Sequence, residues 1–120
     1  MSRLLLLLAL FAGDAATLRW ATPEYAGVFS DPDLDEVSGL AASRAHPGIY
    51  WAQNDSGNGP KLVAIKTDGS RVATMTLAGA DNVDWEDLDG FDLNGKHYIL
   101  VADTGDNGGI RKQLTLYVVE

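Results

Sequence analysis

Acidic residues are concentrated in one stretch of this sequence. Between positions 81 and 106 there are eight aspartates and glutamates and a single lysine. On a β-strand the side chains alternate, so Asp84 and Glu86 would share one face while Trp85, Asp87 and Asp89 share the other. Neighbouring carboxylates on one face repel each other, and a divalent cation would relieve that repulsion. Calcium takes about six to eight oxygen ligands, so the stretch predicts a calcium site, with a solvated acidic strand and loop as the alternative.

Two loops of similar composition supply further candidate ligands. Residues 54–59 and residues 103–108 each contain aspartate, asparagine and two glycines. Neither loop has the spacing of an EF-hand, because position 12 is apolar in both where that motif needs glutamate. If both loops lie at the same end of the fold, their carboxylates approach the acidic stretch. The predicted metal ligands are therefore Asp55, Glu86, Asp103 and Asp106. The alternative is structural, since aspartate and asparagine side chains cap turns.

The composition excludes several other classes of protein. The 120 residues carry 17 acidic against 9 basic side chains, a net charge of −8, which argues against a nucleic-acid partner or an anionic membrane. There is no cysteine, so disulfides and thiolate catalysis are excluded, and zinc would need the two histidines and carboxylates. Serine-type catalysis is unsupported, because no serine lies in a Gly-x-Ser-x-Gly elbow.

The N-terminus has the three-part layout of a secretory signal peptide. One positive charge at Arg3 precedes an unbroken apolar run at positions 4–12, and small residues follow. That run is about half of the roughly 20 residues that span a bilayer as a helix, so no membrane span is expected. We predict a signal peptide at residues 1–15, cleavage after Ala15, and export to the periplasm or the extracellular space. A buried N-terminal helix is the alternative.

From Val37 onward short β-type runs alternate with turn residues, after a polar, proline-containing lead-in at residues 16–36. Asp68-Gly69 and Asn94-Gly95 indicate two-residue hairpins, because these residue types tolerate positive φ. The predicted strands are residues 37–43, 49–54, 62–66, 71–77, 85–93, 98–102 and 114–119.

An internal repeat organises these strands. A shift of 48 positions superposes residues 55–57 on residues 103–105, and Tyr50 on Tyr98. A period of about 40–50 residues with up to four antiparallel strands is typical of a β-propeller blade. The predicted fold is therefore all-β, a β-propeller fragment of about two four-stranded antiparallel blades. The units are one blade at residues 37–80 and a second, incomplete blade at residues 81–120; a small β-sandwich is the alternative.

Two blades leave open flanks, because propellers close with roughly 4–8 of them. We therefore expect the remaining blades to be missing from this chain, as in the N-terminal piece of a longer propeller or a truncated reading frame. Trp51 and Trp85 are expected to pack between the blades, where large aromatic side chains bury most area. Arg111 is expected to form an ion pair with Asp103 or Asp106.

Four motifs in this order resemble a known group of proteins. They are the runs at residues 36–43, 50–57, 84–88 and 103–107, the last followed by Arg111. Together they resemble bacterial exported β-propeller proteins, which are distantly similar to phytase-like and NHL-type propellers. The resemblance covers about residues 36–119. It implies calcium ligands around one channel mouth, as in related propellers that hydrolyse phosphoesters or lactones, and these would be Glu86, Asp55 and Asp103.

Two functions are predicted from these features. The first is an exported β-propeller segment that serves as a binding or scaffold module, with calcium near Glu86 and Asp103 and a small molecule or protein ligand at the propeller mouth. The second is the N-terminal part of a calcium-dependent phosphoesterase or lactonase-type hydrolase. In it the metal would polarise a substrate oxygen and Glu86 would act as the catalytic base.

Overall fold

The computed structural model describes residues 21–120, which form seven strands and no helix. All seven predicted strands are confirmed, with ends that agree within two residues. The predicted signal peptide at residues 1–15 and the first part of the lead-in lie outside the described residues. Within residues 21–120 there is no helix with the length and apolarity that a membrane crossing requires. The strands are β1 (Val37–Ala42), β2 (Ile49–Asn54), β3 (Lys61–Lys66), β4 (Arg71–Thr76), β5 (Trp85–Leu93), β6 (Lys96–Asp103) and β7 (Thr115–Val119).

The strands form two antiparallel sheets, each built from neighbours in the chain. Sheet 1 has the order β1-β2-β3-β4, and sheet 2 has the order β5-β6-β7. The predicted all-β class is therefore confirmed. The second unit has one strand fewer than the first, as the sequence repeat predicts.

One of the two hairpin predictions is confirmed and the other is wrong in its length. Asn94 and Gly95 both have positive φ, at 52° and 76°, as a two-residue type I′ turn requires. At the β3–β4 turn only Gly69 has positive φ, at 82°, and its N–H donates to the carbonyl of Lys66 at 2.9 Å. This is a three-residue loop in which glycine follows a type I turn, so Asp68 needs no positive φ.

The strands β1 and β5 share an irregularity that relates the two sheets. Each pairs regularly with the next strand except at one extra residue, which is Ser38 in β1 and Glu86 in β5. Such a bulge interrupts the alternation of side chains. Trp85 therefore faces the opposite side of sheet 2 from Asp87 and Asp89, and the prediction that the three share a face is wrong.

The main core lies between the two sheets. Trp85, Leu62 and Val101 are fully buried there, and Trp51 packs against them from sheet 1. The predicted packing of the two tryptophans between the units is thus confirmed. The Oγ of Ser38 also donates a hydrogen bond to the backbone carbonyl of Trp85 at 2.7 Å, which joins β1 directly to β5.

The two sheets pack through faces that do not correspond to each other. The two sheets can be matched residue by residue if their bulges are aligned and the paired residues are followed from strand to strand. In this match, Leu62 and Ala64 of β3 correspond to Leu116 and Val118 of β7. The β3 residues are buried against sheet 2, whereas Leu116 and Val118 are 60% and 57% exposed. Sheet 2 therefore turns outward the face that sheet 1 turns inward, which is a head-to-tail arrangement.

The other face of sheet 1 is covered by the lead-in. Leu34 is buried there against Val63 and Ile65, with Phe29 packed beside them. Residues 21–36 contain no strand, so this part of the lead-in is a loop. Arg71 of β4 forms ion pairs with Asp31 and Asp33 and thereby holds the lead-in against this face of sheet 1.

Substitution of corresponding leucines will test the assignment of the core. We expect Leu62→Ala to lower the free energy of unfolding by about 2–5 kcal/mol, because it leaves a cavity between the sheets. Leu116→Ala makes the same change at the corresponding exposed position, and its effect should stay within about 0.5 kcal/mol. Urea unfolding followed by circular dichroism measures both values. Equal losses would contradict the head-to-tail packing.

The attachment of the lead-in should depend on pH. Hydrogen bonds from Arg71 and from the N–H of Asp33 lower the pKa of Asp31. A carboxyl whose pKa is lower in the folded state stabilises the fold above its unfolded pKa, and this contribution is lost as pH falls through the folded value. We therefore expect the urea midpoint of the wild type to fall more steeply below about pH 4 than that of Arg71→Gln. Parallel pH profiles for the two proteins would contradict this.

Candidate metal centre

Three carboxylates converge where sheet 1 meets sheet 2. Asp55 follows β2, Asp84 precedes β5, and Glu86 is the bulge residue of β5. One carboxylate oxygen of each lies within 4.8 Å of the other two. Asp55 and Asp84 are half-buried and Glu86 is exposed. We call these three residues the carboxylate cluster.

The cluster combines two predicted ligands with one that sequence reasoning left out. Asp55 and Glu86 were both predicted to bind metal, from separate motifs. For Asp84 the sequence predicts only a shared face with Glu86, and the structure adds it to the cluster. The signal that could have found it is its place two residues before Glu86 in the same acidic stretch.

Asn82 holds the two sheets together beside the cluster. Its Nδ2 donates hydrogen bonds to the backbone carbonyls of Asn54 and Asp55, at 3.1 and 2.9 Å. Its Oδ1 accepts the backbone N–H of Trp85 at 3.1 Å. The amide therefore fixes the end of β2 relative to the start of β5. Sequence reasoning missed this residue, because an asparagine in an acidic stretch gives no local sign of a bridging role.

Gly105 permits the close approach of a loop to the cluster. Its N–H donates to the carbonyl of Asp84 at 3.0 Å. A Cβ at this position would overlap the carboxylates of Asp84 and Glu86. Gly105 does not have positive φ, unlike Gly57 of the first loop. The glycine is therefore needed for space rather than for a left-handed turn.

The electrostatics of the cluster are unfavourable for the charged form of Asp84. Partial burial raises the pKa of Asp84, and the adjacent carboxyl of Asp55 raises it further. The positive charge of Arg111 lowers it, while that of nearby Asp103 raises it slightly. Burial disfavours a charged carboxylate, and so does a like charge beside it. A proton or a cation bound among these oxygens would relieve both effects.

Asp103 lies beneath the cluster instead of in it. Its side chain is 1% exposed, and it accepts hydrogen bonds from Arg111 at 2.8 Å and from the backbone N–H of Asp84 at 3.0 Å. The predicted ion pair between Arg111 and Asp103 is thus confirmed. Both hydrogen bonds end on Oδ1 of Asp103 and serve the fold, because one orients the backbone of Asp84 and the other pairs a buried charge.

The sheet register explains why Asp55 and Asp103 differ. Asp103 lies opposite Trp85 in β5, as Asn54 lies opposite Val37 in β1. In the structure Asp103 therefore corresponds to Asn54, one residue away from the correspondence that the sequence repeat predicts. Asp55, one residue beyond the strand, is free to turn toward sheet 2.

Asp106 is a turn-capping residue in this structure. Its carboxylate accepts the backbone N–H groups of Ile110 and Arg111, at 2.9 and 3.1 Å. It shapes the loop between β6 and β7 and does not belong to the carboxylate cluster. Of the four predicted ligands, the structure brings Asp55 and Glu86 together.

A separate cleft lies on the side of sheet 1 that the lead-in covers. Its volume is about 410 Å³, and its lining includes Asp33, Asp35, Asn54 and Arg71. None of the cluster residues lines it, so the cleft and the cluster are independent features.

Comparisons with protein-family models, with curated proteins and with solved structures find no match to this chain. The resemblance to exported propellers therefore stays a prediction from motifs, and the candidate site depends on the geometry described above.

Removal of Arg111 will test its role beneath the cluster. We expect Arg111→Met to lower the free energy of unfolding by about 3–5 kcal/mol, because it leaves the buried Asp103 carboxylate without a partner. Arg44 provides a control, since its ion pair with Asp92 is exposed and Arg44→Met should cost no more than about 1 kcal/mol. Urea unfolding measures both. A small effect of Arg111→Met would contradict the structural role.

Proposed function

We propose that this protein is an exported β-propeller segment that binds calcium at Asp55, Asp84 and Glu86, as part of a binding or scaffold module. The observation that carries the proposal is the convergence of three carboxylate oxygens within 4.8 Å. Two sheets contribute them, so a bound ion would join the sheets as well as neutralise the charge.

Charge supports a cation at this place. Among residues 21–120, none of the ion pairs engages a member of the cluster. Arg111 lies nearby, but its Nη1 donates to Asp103 and to the carbonyl of Gly105, both at 2.8 Å. The cluster thus retains a negative charge that no side-chain ion pair balances.

The chemistry of the ligands favours calcium over a transition metal. The cluster offers carboxylate oxygens and contains neither histidine nor cysteine, and oxygen ligands suit hard cations. Glu86 is exposed to solvent, so water can complete the coordination. Sites of this kind in extracellular modules bind calcium with a Kd of about 10⁻⁴ to 10⁻³ M.

Head-to-tail packing supports the propeller over the sandwich. Contact through non-corresponding faces is a heterologous interface, and repetition of such an interface generates a ring if the rotation closes. The free face of sheet 2, with Leu116 and Val118, would receive the next blade in that arrangement. The end of the blades that carries Asp55 and Glu86 would then surround the mouth, where a small-molecule or protein ligand would bind.

A calcium-dependent hydrolase remains the second candidate. Glu86 is the exposed member of the cluster, so it is accessible to a substrate and would act as the base. The cluster would hold the calcium, and calcium would supply Lewis-acid polarisation. This function requires turnover of a phosphoester or a lactone that depends on both calcium and Glu86.

Calcium titration by calorimetry will test the proposed site. We expect saturable binding to the wild-type chain and affinity about tenfold or more weaker for Asp84→Asn, because ligand charge sets the affinity of calcium sites. Asp89→Asn is the matched control, since Asp89 belongs to the same acidic stretch but lies on the outer face of β5. Unaltered binding by Asp84→Asn, or equal weakening by Asp89→Asn, would contradict the site.

The same proteins separate the two candidate functions. A panel of phosphoesters and lactones is assayed with calcium, with chelator and with Glu86→Gln. Calcium binding without turnover supports the binding module. Turnover that is lost in chelator and in Glu86→Gln supports the hydrolase.

A further inference from the structure

The cleft beside the lead-in contains a buried hydrogen-bond acceptor that no described residue satisfies. Asn54 is part of the lining of this cleft of about 410 Å³. Its side chain belongs to a residue that is only 8% exposed, and within residues 21–120 nothing donates a hydrogen bond to its Oδ1. Buried polar groups are normally hydrogen-bonded. The oxygen therefore indicates a ligand that brings a donor into the cleft.

The hydrogen bonds of Asn54 fix which of its side-chain atoms is unsatisfied. Its Nδ2 lies 2.9 Å from the carbonyl oxygen of Asp33, 3.2 Å from Oδ1 of Asp35 and 3.4 Å from Oδ1 of Asn58. All three are acceptors, so an exchange of nitrogen and oxygen would place an acceptor against acceptors. The amide has only two N–H groups for these three oxygens. Acceptors thus exceed donors here, and a fitting ligand group must donate several hydrogen bonds.

Two charged side chains of opposite sign in the lining have no ion-pair partner. They are Asp35 and Lys61, and neither forms an ion pair with any residue that the structure describes. The other charged residues of the lining are Asp33 and Arg71, which pair with each other at 2.7 Å. The cleft therefore offers one unpaired charge of each sign.

Lys61 lies across from Asn54 on the same face of sheet 1. Ala52 of β2 pairs with Val63 of β3, and Asn54 and Lys61 each follow two residues toward the same end of the strands. Side chains two residues apart share a face of a strand. The ammonium group of Lys61 would repel a metal cation bound at Asn54. A simple anion is disfavoured as well, because the chain has a net charge of −8. A ligand that carries both charges fits better than either ion.

We propose that this cleft binds a free α-amino acid in its zwitterionic form. The ligand's ammonium group, with three N–H donors and no acceptor, would donate to Oδ1 of Asn54 and to the carboxylate of Asp35. The ligand's carboxylate would pair with Lys61. Leu34 and Val63 are buried residues of the same lining, so they provide an apolar contact for a small aliphatic side chain. None of the cluster residues lines this cleft, so the site is independent of the proposed calcium site.

NMR titration of the ¹⁵N-labelled chain with L-alanine tests the proposal. The experiment is done in chelator, so that the calcium site takes no part. We expect the side-chain amide signal of Asn54 to shift saturably. Ethylammonium and propionate each carry one of the two charges of alanine. Each should bind about tenfold or more weakly than alanine, because linking two groups that occupy adjacent places raises the affinity. No saturable shift of the Asn54 signal, or equal affinity for alanine and either half, would overturn the proposal.

Variants of two lysines locate the site. Lys61→Gln should weaken the binding of L-alanine by about tenfold, because it removes the charge that pairs with the ligand's carboxylate. Lys66→Gln is the matched control, since Lys66 is exposed at the other end of β3 and is not part of the lining. Both lysines are exposed, and circular dichroism checks that both variants fold. Unchanged affinity in Lys61→Gln, or equal weakening in the two variants, would overturn the proposal.

Discussion

The burial of Trp85 between the two sheets organises both the packing of the sheets and the position of the carboxylate cluster. Its indole fills the core between β1 and β5, and its indole N–H donates to the carbonyl of Asp81 at 2.9 Å. Its backbone N–H and carbonyl bond to Asn82 and Ser38. A large aromatic side chain with all these polar groups satisfied fixes the separation of the sheets. Because Asp84 and Glu86 flank Trp85 in the chain, its burial also places both carboxylates beside Asp55.

The acidic residues around Trp85 divide into two physical roles. Asp103 is buried, bound to Arg111 and to the backbone of Asp84, so its charge is balanced within the fold. Within residues 21–120 the cluster residues Asp55, Asp84 and Glu86 take part in no ion pair. A buried charge is tolerated only when it is paired. Partly exposed carboxylates are stabilised by water and remain accessible to ions in solution. The division therefore separates a structural carboxylate from the carboxylates of the proposed calcium site.

Corresponding positions of the internal repeat have different environments in the two sheets. Leu62 is buried between the sheets, whereas the corresponding Leu116 is 60% exposed. The two sheets therefore contact each other through faces that do not correspond. The carboxylate cluster lies at the interface that the two sheets form with each other.

The strands, the Asn94-Gly95 turn, the burial of the tryptophans and an ion pair of Arg111 with Asp103 or Asp106 are all predictable from the sequence. These follow from the alternation of side chains, from the φ preferences of single residues and from nearby opposite charges. The choice of Asp103 as the partner of Arg111 and the members of the cluster depend on the packing of the two sheets. A bulge at Glu86 and a one-residue offset in register move Asp103 into the interior and leave Asp84 beside Asp55. Both effects depend on how distant strands pair and pack, and a one-residue change in register reverses the face of every side chain.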